Sequence, residues 1–410
     1  MTHQPARPKR CPVCGTTATT RCLRLKDIPV NCSALWYTKE QGQAAARGTI
    51  ELALCSHCGL IFNAAFDPKR LEYDRSYDNT LTYSPAFRSY AESLGERLVS
   101  SHKLHRKDVI EIGCGNGDFL DRLCELGQNR GIGFDPSAES RTRPGLPEIV
   151  GALFSTAHAA RSVDFVCCRH VLEHIEAPRE LLDLVWGCLS PREGSVYFEV
   201  PNAGSVLAGP TTWDVIYPHY TYFTPPSLRY LFESSGFEVI KIAPTFGEQF
   251  LGVEARISRP GRSVLPDARG VAAVSRLANR FDLKLREAVF RWSRFIEYAS
   301  VEGRRVALWG AGAKSVTFLN VIPGAERVEC VVDLNPRKQG AFIPGTAQQV
   351  MPPERLIDFR PDVIIVLNPL YQSEIRQSLV SLGLEPLITT DAQLPLPAPV
   401  GRRSAAVGSI

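Results

Sequence analysis

Hydrophobic and polar positions follow two different periods along this chain, and the points where the period changes divide it. Asp108-Val109-Ile110-Glu111-Ile112 is an apolar run of strand length; Gly113, Gly115 and Gly117 separate it from a helical start at Asp118-Phe119-Leu120. Gly131-Ile132-Gly133-Phe134 is a second run, closed by Asp135, and Val163 to Cys168 and Ser195 to Val200 are two more, separated by an amphipathic helix around Glu180 to Cys188. This βαβ rhythm predicts a doubly wound α/β domain. From Val271 to Glu302 the pattern turns helical, with Leu277, Phe281, Leu283, Leu285, Val289, Phe290, Trp292, Phe295 and Ile296 spaced as one apolar face. A second strand–glycine loop–helix follows at Val306 to Lys314, then further strands at Val331-Val332-Asp333 and Val363 to Leu367, which predicts a second Rossmann-like domain.

These changes give the expected organisation: residues 1–75 with cysteine pairs and short strands, an α/β domain over 76–265 entered through a tyrosine-rich loop and a helix, a helical connector over 266–300, a Rossmann-like domain over 301–395, and a tail over 396–410. The first ten residues and the tail lack periodicity and are expected to be disordered. A chain of 410 residues with 44% hydrophobic content can bury the cores of two or three domains. Its net charge of +4, without a dominant basic run, gives no sign of nucleic acid or an anionic membrane as partner. No stretch reaches the ~18 apolar residues of a membrane span, and no apolar core follows the basic residues of Met1 to Arg10, so a cytoplasmic location is expected. The twelve cysteines then read as reduced thiols, Cys167 and Cys168 as core residues. The oligomeric state is open.

The candidate chemistry begins at the first glycine loop. Alternating glycines let the backbone approach a ligand more closely than a Cβ permits, the following helix offers free N–H groups, and Asp135, about 20 residues on, suits ribose hydroxyls. The form E-x-G-x-G-x-G looks like the S-adenosylmethionine (SAM) loop of class I methyltransferases, with Glu111, Gly113, Gly115, Gly117 and Asp135 as cofactor residues. Arg169 and His170, at the carboxyl end of a predicted core strand, are placed to join them. Cys11-Pro-Val-Cys14-Gly and Cys55-Ser-His-Cys58-Gly are two knuckles whose four sulfurs suit a closed, structural Zn²⁺ site, although the linker of about 40 residues exceeds that of a compact ribbon. His170-Val-Leu-Glu-His174 spells a metalloprotease pattern, but its position inside a SAM domain, with no third ligand evident, speaks against that reading. The aromatic loop Trp213 to Thr224 carries His219, an imidazole suited to act as a base.

Together these features resemble the three-part sugar C-methyltransferases of antibiotic deoxysugar pathways. The resemblance rests on the two C-x-x-C-G pairs, E-I-G-C-G-N-G, V-L-E-H-I at Val171 to Ile175, E-V-P-N, and G-A-G-A-K with Asp333 to Gly340 and Ile343 to Thr346 behind it. It implies SAM and structural zinc, and methylation at C3 of a nucleoside-diphosphate (NDP) 4-keto sugar. By resemblance His174 and His219 line the reacting centre; for an enolate formed there, Tyr222, Tyr77 or His174 is the expected donor to its oxygen. The second loop, through Gly310, Gly312, Lys314, Asp333 and Lys338, would hold the nucleotide diphosphate. The chain departs from the family at the glutamate beside the second histidine, where Pro218 stands, and matches the tyrosine-rich stretch only approximately, at Tyr73, Tyr77, Tyr83 and Asn79. The departure at Pro218 favours the closest alternative, O- or N-methylation of a nucleotide sugar or another small metabolite, because a heteroatom needs a weaker base. A dehydrogenase or epimerase would carry a Y-x-x-x-K couple, and none occurs. A non-catalytic zinc- and nucleotide-binding adaptor would tolerate a spoiled SAM loop, yet every element of that loop is present.

Overall fold

The computed structural model describes residues 9–71, 77–209, 212–258 and 263–394. The terminal segments expected to be disordered lie outside the described residues except for Lys9 and Arg10, and so does Tyr73. No helix among the described residues is long and apolar enough to cross a membrane.

The expected α/β domain is built on a seven-stranded sheet with the order Phe237–Thr245, Phe250–Ile257, Ser195–Pro201, Phe165–Arg169, Asp108–Ile112, Arg130–Phe134, Glu148–Val150. The five strands from Ser195–Pro201 to Glu148–Val150 run parallel, and Phe250–Ile257 pairs antiparallel with both its neighbours. Starting at Asp108–Ile112 the chain fills one side of the sheet and then returns to fill the other, beginning with Phe165–Arg169. The crevice beyond the carboxyl ends of these two strands is where such sheets bind ligands, and Gly113 and Arg169 stand at its two rims. Cys167 and Cys168 are fully buried in this sheet.

The second Rossmann-like unit has five parallel strands in the order Val350–Met351, Cys330–Val332, Val306–Trp309, Val363–Val366, Leu387–Thr389. Its order reverses between Val306–Trp309 and Val363–Val366, again beside a glycine loop. A third, four-stranded sheet joins Thr19–Pro29, Arg47–Cys55 and Ile61–Asn63 to Thr221–Tyr222, a strand from the loop that carries His219. Ile61 pairs with Tyr222 and Phe62 with Thr221, so the N-terminal sheet clamps that loop.

The connector is one helix of 34 residues, Ala268–Val301, capped by Asp267, which accepts from the Gly270 N–H. Phe281, Leu285, Trp292, Phe295 and Ile296 are buried as expected. Leu283 and Phe290 are not, being 62% and 64% exposed. Two residues advance roughly 200° round a helix, so Leu283 lies opposite Phe281, and Phe290, seven residues on, shares that outer face.

Candidate active site

The three glycines of the first loop all have positive φ, +74° at Gly113, +53° at Gly115 and +91° at Gly117. Gly117 ends the turn and opens the helix Asp118–Gly127. A Cβ on Gly113 would stand 2.0 Å from Val171 Cγ2, whereas one on Gly115 would meet nothing within 4 Å, which leaves an open cradle on that side. The Gly115 N–H donates to Asp135 Oδ2 at 2.9 Å, and Asp135 Oδ1 accepts from the Ser137 N–H and hydroxyl. Asp135 therefore sets the loop and keeps lone pairs for a ligand hydroxyl. Glu111 is buried with Oε1 3.7 Å from Arg169 Nε, and its Oε2 has no hydrogen-bond partner among the described residues. Burial pushes its carboxyl up to about 7, against the pull of Arg169. Arg169 lies 3.6 Å above the Phe119 ring. Open cradle, ribose-suited carboxylate and orphaned polar atoms together fit an adenosyl cofactor. Gly113→Ala, strained by its φ and by Val171, is expected to cost about 1–3 kcal/mol and to weaken S-adenosylhomocysteine (SAH) binding in a calorimetric titration; unchanged affinity would remove this loop as the cofactor cradle.

His170 follows its strand at φ +58°, its Nε2 3.2 Å from Glu199 Oε1 and its ring against Phe250. Glu199 is fully buried and accepts from Tyr90, Tyr197 and Thr245. Burial opposes its charge, but His170, Arg169 and Tyr90 hold the carboxyl down at about 2.

The turn Leu172–His174 brings His174 and Glu173 to the loop of His219. The two imidazole centroids are 5.0 Å apart at 71°, and donor atoms of Glu173, His174 and His219 all lie within 4.8 Å of one another. The sequence pattern H-x-x-E-H thus does not act as a unit, since its first histidine belongs to Glu199. The Nδ1–H of His174 donates to the Pro218 carbonyl at 2.9 Å, which leaves Nε2 as an acceptor. His219 is 6% exposed and its Nδ1 has no partner among the described residues. Burial drives His174 down to about 4 and His219 to about 3, while burial pushes Glu173 up to about 8. At neutral pH the cluster is two neutral imidazoles beside a carboxylic acid.

Because the folded chain raises Glu173 from 4.5 to about 8, the stability it contributes is present below pH 4.5 and lost as pH rises through 8. In urea unfolding at pH 6 and 9, wild type is expected to lose more stability than Glu173→Gln. Equal losses would place the charge elsewhere.

One of the two tyrosines expected as donors is engaged by backbone. The Tyr222 hydroxyl donates to the Ile216 carbonyl at 2.8 Å and accepts from the Ile216 N–H, so its one proton is engaged by backbone and the residue shapes the His219 loop, 5.7 Å from the imidazole. Tyr77 pairs by backbone with Ala34, and its hydroxyl accepts from Asn79 at 3.3 Å, beside the N-terminal sheet.

The second glycine loop repeats the first one's logic. Asp333 Oδ2 accepts from the Ala311 N–H at 2.7 Å and Oδ1 from the Asn335 N–H, while a Cβ on Gly310 or Gly312 would meet nothing within 4 Å. Lys338 stands 3.8 Å from Asp333. Lys314, expected to face phosphate, instead pairs with Asp214 Oδ2 at 3.0 Å, both side chains largely buried. Burial works against the Asp214 charge, but Lys314 and His219 hold its carboxyl low. Thr317 on the same helix, Ala313–Val321, donates to the Val215 carbonyl, so the second unit is docked on the His219 loop. Asp391 fastens the loop from behind, accepting the indole N–H of Trp213 at 2.7 Å and of Trp292 on the long helix. Sequence reasoning assigned no role to Asp214, Glu173 or Asp391. The one available signal was an acid within an apolar aromatic run, at Trp213-Asp214-Val215.

In the knuckles, Cys11 Sγ is 3.7 Å from Cys58 Sγ and Cys14 Sγ is 3.4 Å from Cys55 Sγ, and all four sulfurs lie within 4.8 Å of one another. Gly15 and Gly59 take φ +75°, the turn each knuckle needs. Arg179 donates to the Val13 carbonyl and Thr224 to that of Gly59, which ties both knuckles to the α/β domain.

Comparison with known proteins aligns with this geometry. A methyltransferase domain family matches residues 85–242, and a family described as a C-methyltransferase C-terminal domain matches 267–383. The chain is similar to the C-methyltransferase NovU of Streptomyces niveus, 27% identical over 287 residues, which cover 65% of this chain and 67% of that protein. Among solved structures it resembles magnesium protoporphyrin IX methyltransferase from Synechocystis PCC 6803 with bound SAH, at TM-score 0.34 and 17% identity over 42% of this chain and 84% of that one. A second is 1,6-didemethyltoxoflavin-N1-methyltransferase from Burkholderia thailandensis, at TM-score 0.33 and 18% identity over 43% and 82%. The matched methyltransferase domain contains the Gly113–Gly117 loop at the reversal point of its sheet, and with the C-methyltransferase relative beside it the chain is a SAM-dependent methyltransferase.

Proposed function

We propose that the acceptor is a carbon atom, next to the ketone of an NDP-4-keto-deoxysugar. The observation that carries this reading is the contact between Lys314, at the second glycine loop, and Asp214, in the loop leading to His219. A nucleotide held at Gly310–Lys314 then has its sugar directed at the histidine pair, which lies beside the SAM crevice. The similarity to a C-methyltransferase, and the match of residues 267–383 to a C-methyltransferase C-terminal domain, support carbon as acceptor.

SAM supplies a methyl group already activated on its sulfonium. The protein has to provide alignment, a base, and donors for the oxygen on which charge grows. The 4-keto group acidifies the neighbouring C–H, and His219, neutral and with Nδ1 unpartnered among the described residues, accepts that proton. Glu173, protonated at neutral pH, offers a hydrogen-bond donor in the same cluster, as a carboxylic acid kept neutral by burial can. Pro218, in place of the family's glutamate, is the feature that favours the second reading, transfer to oxygen or nitrogen, where a weaker base suffices.

The test is mass spectrometry of the protein with SAM and paired NDP-deoxysugars, one carrying a 4-ketone and the other a 4-hydroxyl. Carbon methylation predicts a one-methyl gain only with the ketone. A gain on the 4-hydroxyl sugar would favour heteroatom transfer, and none with either sugar would defeat the reading.

We assign the four-cysteine cluster to structural zinc, because four thiolates close a tetrahedral site and leave no position for substrate. Emission spectrometry is expected to find about one zinc per chain, lost in Cys58→Ser together with thermal stability. A metal-free wild-type protein would contradict the assignment.

A further inference from the structure

His219 presents a problem for any role as a base. Burial suppresses its protonation, and the carboxylate able to oppose that, Asp214, is neutralised by Lys314. The groups acting on His219 are His174 and Glu173 from the turn Leu172–His174, His170 at its strand end, Asp214 and Tyr222 from its own loop, and Lys314 from the second unit. Of these, only Lys314 stands at the mouth of a second ligand loop. It is the second residue of the helix Ala313–Val321, directly after Gly310 and Gly312, whose outer faces are open. Its partner Asp214 is two-sided: it holds Lys314 at 3.0 Å and, from the same loop as His219, it acts on that imidazole.

We propose that Lys314 is a substrate-controlled restraint on the base: without nucleotide its ammonium holds Asp214, and a nucleoside diphosphate at the Gly310–Lys314 loop draws the ammonium to phosphate and turns the Asp214 carboxylate on His219. Asp214 is then the acid partner that the sequence lacks beside His219, supplied from five residues upstream and made available only when the sugar carrier is bound. Lys314 and Asp214 are positioning residues: they act through the imidazole. The inference rests on the nucleotide-sugar reading above.

The experiment uses the full chain with ¹⁵N-labelled histidine, the His219 signal assigned by its loss in His219→Gln, and dTDP and UDP as probes. Nitrogen shifts report His219 protonation across a pH titration, and calorimetry reports nucleotide binding separately. Saturating nucleotide is expected to raise the His219 midpoint by about one unit or more. Lys314→Met is expected to show the raised midpoint without nucleotide, and Asp214→Asn to bind nucleotide without the rise. Nucleotide binding that leaves the wild-type midpoint unmoved, or an equal rise in Asp214→Asn, overturns the inference and leaves the reading of the second loop intact. Failure of both nucleotides to bind overturns that reading and the inference with it.

Discussion

Replacing His219 by alanine is expected to slow methyl transfer by about 10²–10⁴-fold while SAH still binds at the Gly113–Gly117 loop. The size follows from its setting. Its Nδ1 is the cluster's ring nitrogen with no partner among the described residues, whereas His174 has Nδ1 fixed on the Pro218 carbonyl. Both imidazoles are neutral near pH 7, so the proton-accepting form is the resident one. His219→Gln keeps much of the volume and polarity but no basic lone pair, and is expected to be as slow as alanine. Single-turnover rates with saturating SAM, alongside SAH calorimetry, separate loss of the base from loss of the cofactor site. A His219→Gln rate near wild type would remove the residue as base.

Asp391→Ala is expected to be the most destabilising single change, although it lies outside every motif. The side chain is buried and accepts from two buried indoles, Trp213 at the root of the His219 loop and Trp292 on the long helix. Removing it strands two N–H donors, at about 1–3 kcal/mol each. Asp391→Asn retains one acceptor oxygen and is expected to lose roughly half as much. Urea unfolding followed by tryptophan fluorescence measures the loss, and an Asp391→Ala midpoint equal to wild type would show that the two indoles find other partners. Because Trp213 adjoins Asp214, the same variant is expected to slow methyl transfer even where it remains folded.

What was readable in the sequence was local. Both glycine loops, their strands and the two cysteine knuckles are written in short runs, since strand alternation, positive φ at glycine and knuckle geometry each need only a few neighbours. The long helix was readable as a helix, but its buried face was not fully so, because apolarity at Leu283 and Phe290 marks residues, not directions. Contacts between distant segments left no local trace. The pairing of Ile61–Asn63 with Thr221–Tyr222 joins segments about 160 residues apart, and nothing in either run names the other. For the same reason nothing in the sequence showed that Lys314 meets Asp214, and Tyr222 read as a donor, although the Ile216 peptide holds its hydroxyl. Asp135 and Asp333 share one arrangement: a carboxylate that closes the second strand of each unit binds the backbone of its own glycine loop.

On the proposed reading the chain removes a proton from carbon before methyl transfer. The most direct measurement is solvent exchange: the protein, an NDP-4-keto-deoxysugar and SAH in place of SAM are incubated in D₂O, and the recovered sugar is examined by mass spectrometry and NMR. One deuterium is expected at the carbon beside the ketone with wild type and none above the uncatalysed background with His219→Gln. Methylation with SAM, unaccompanied by exchange at that carbon under SAH, would contradict that reading.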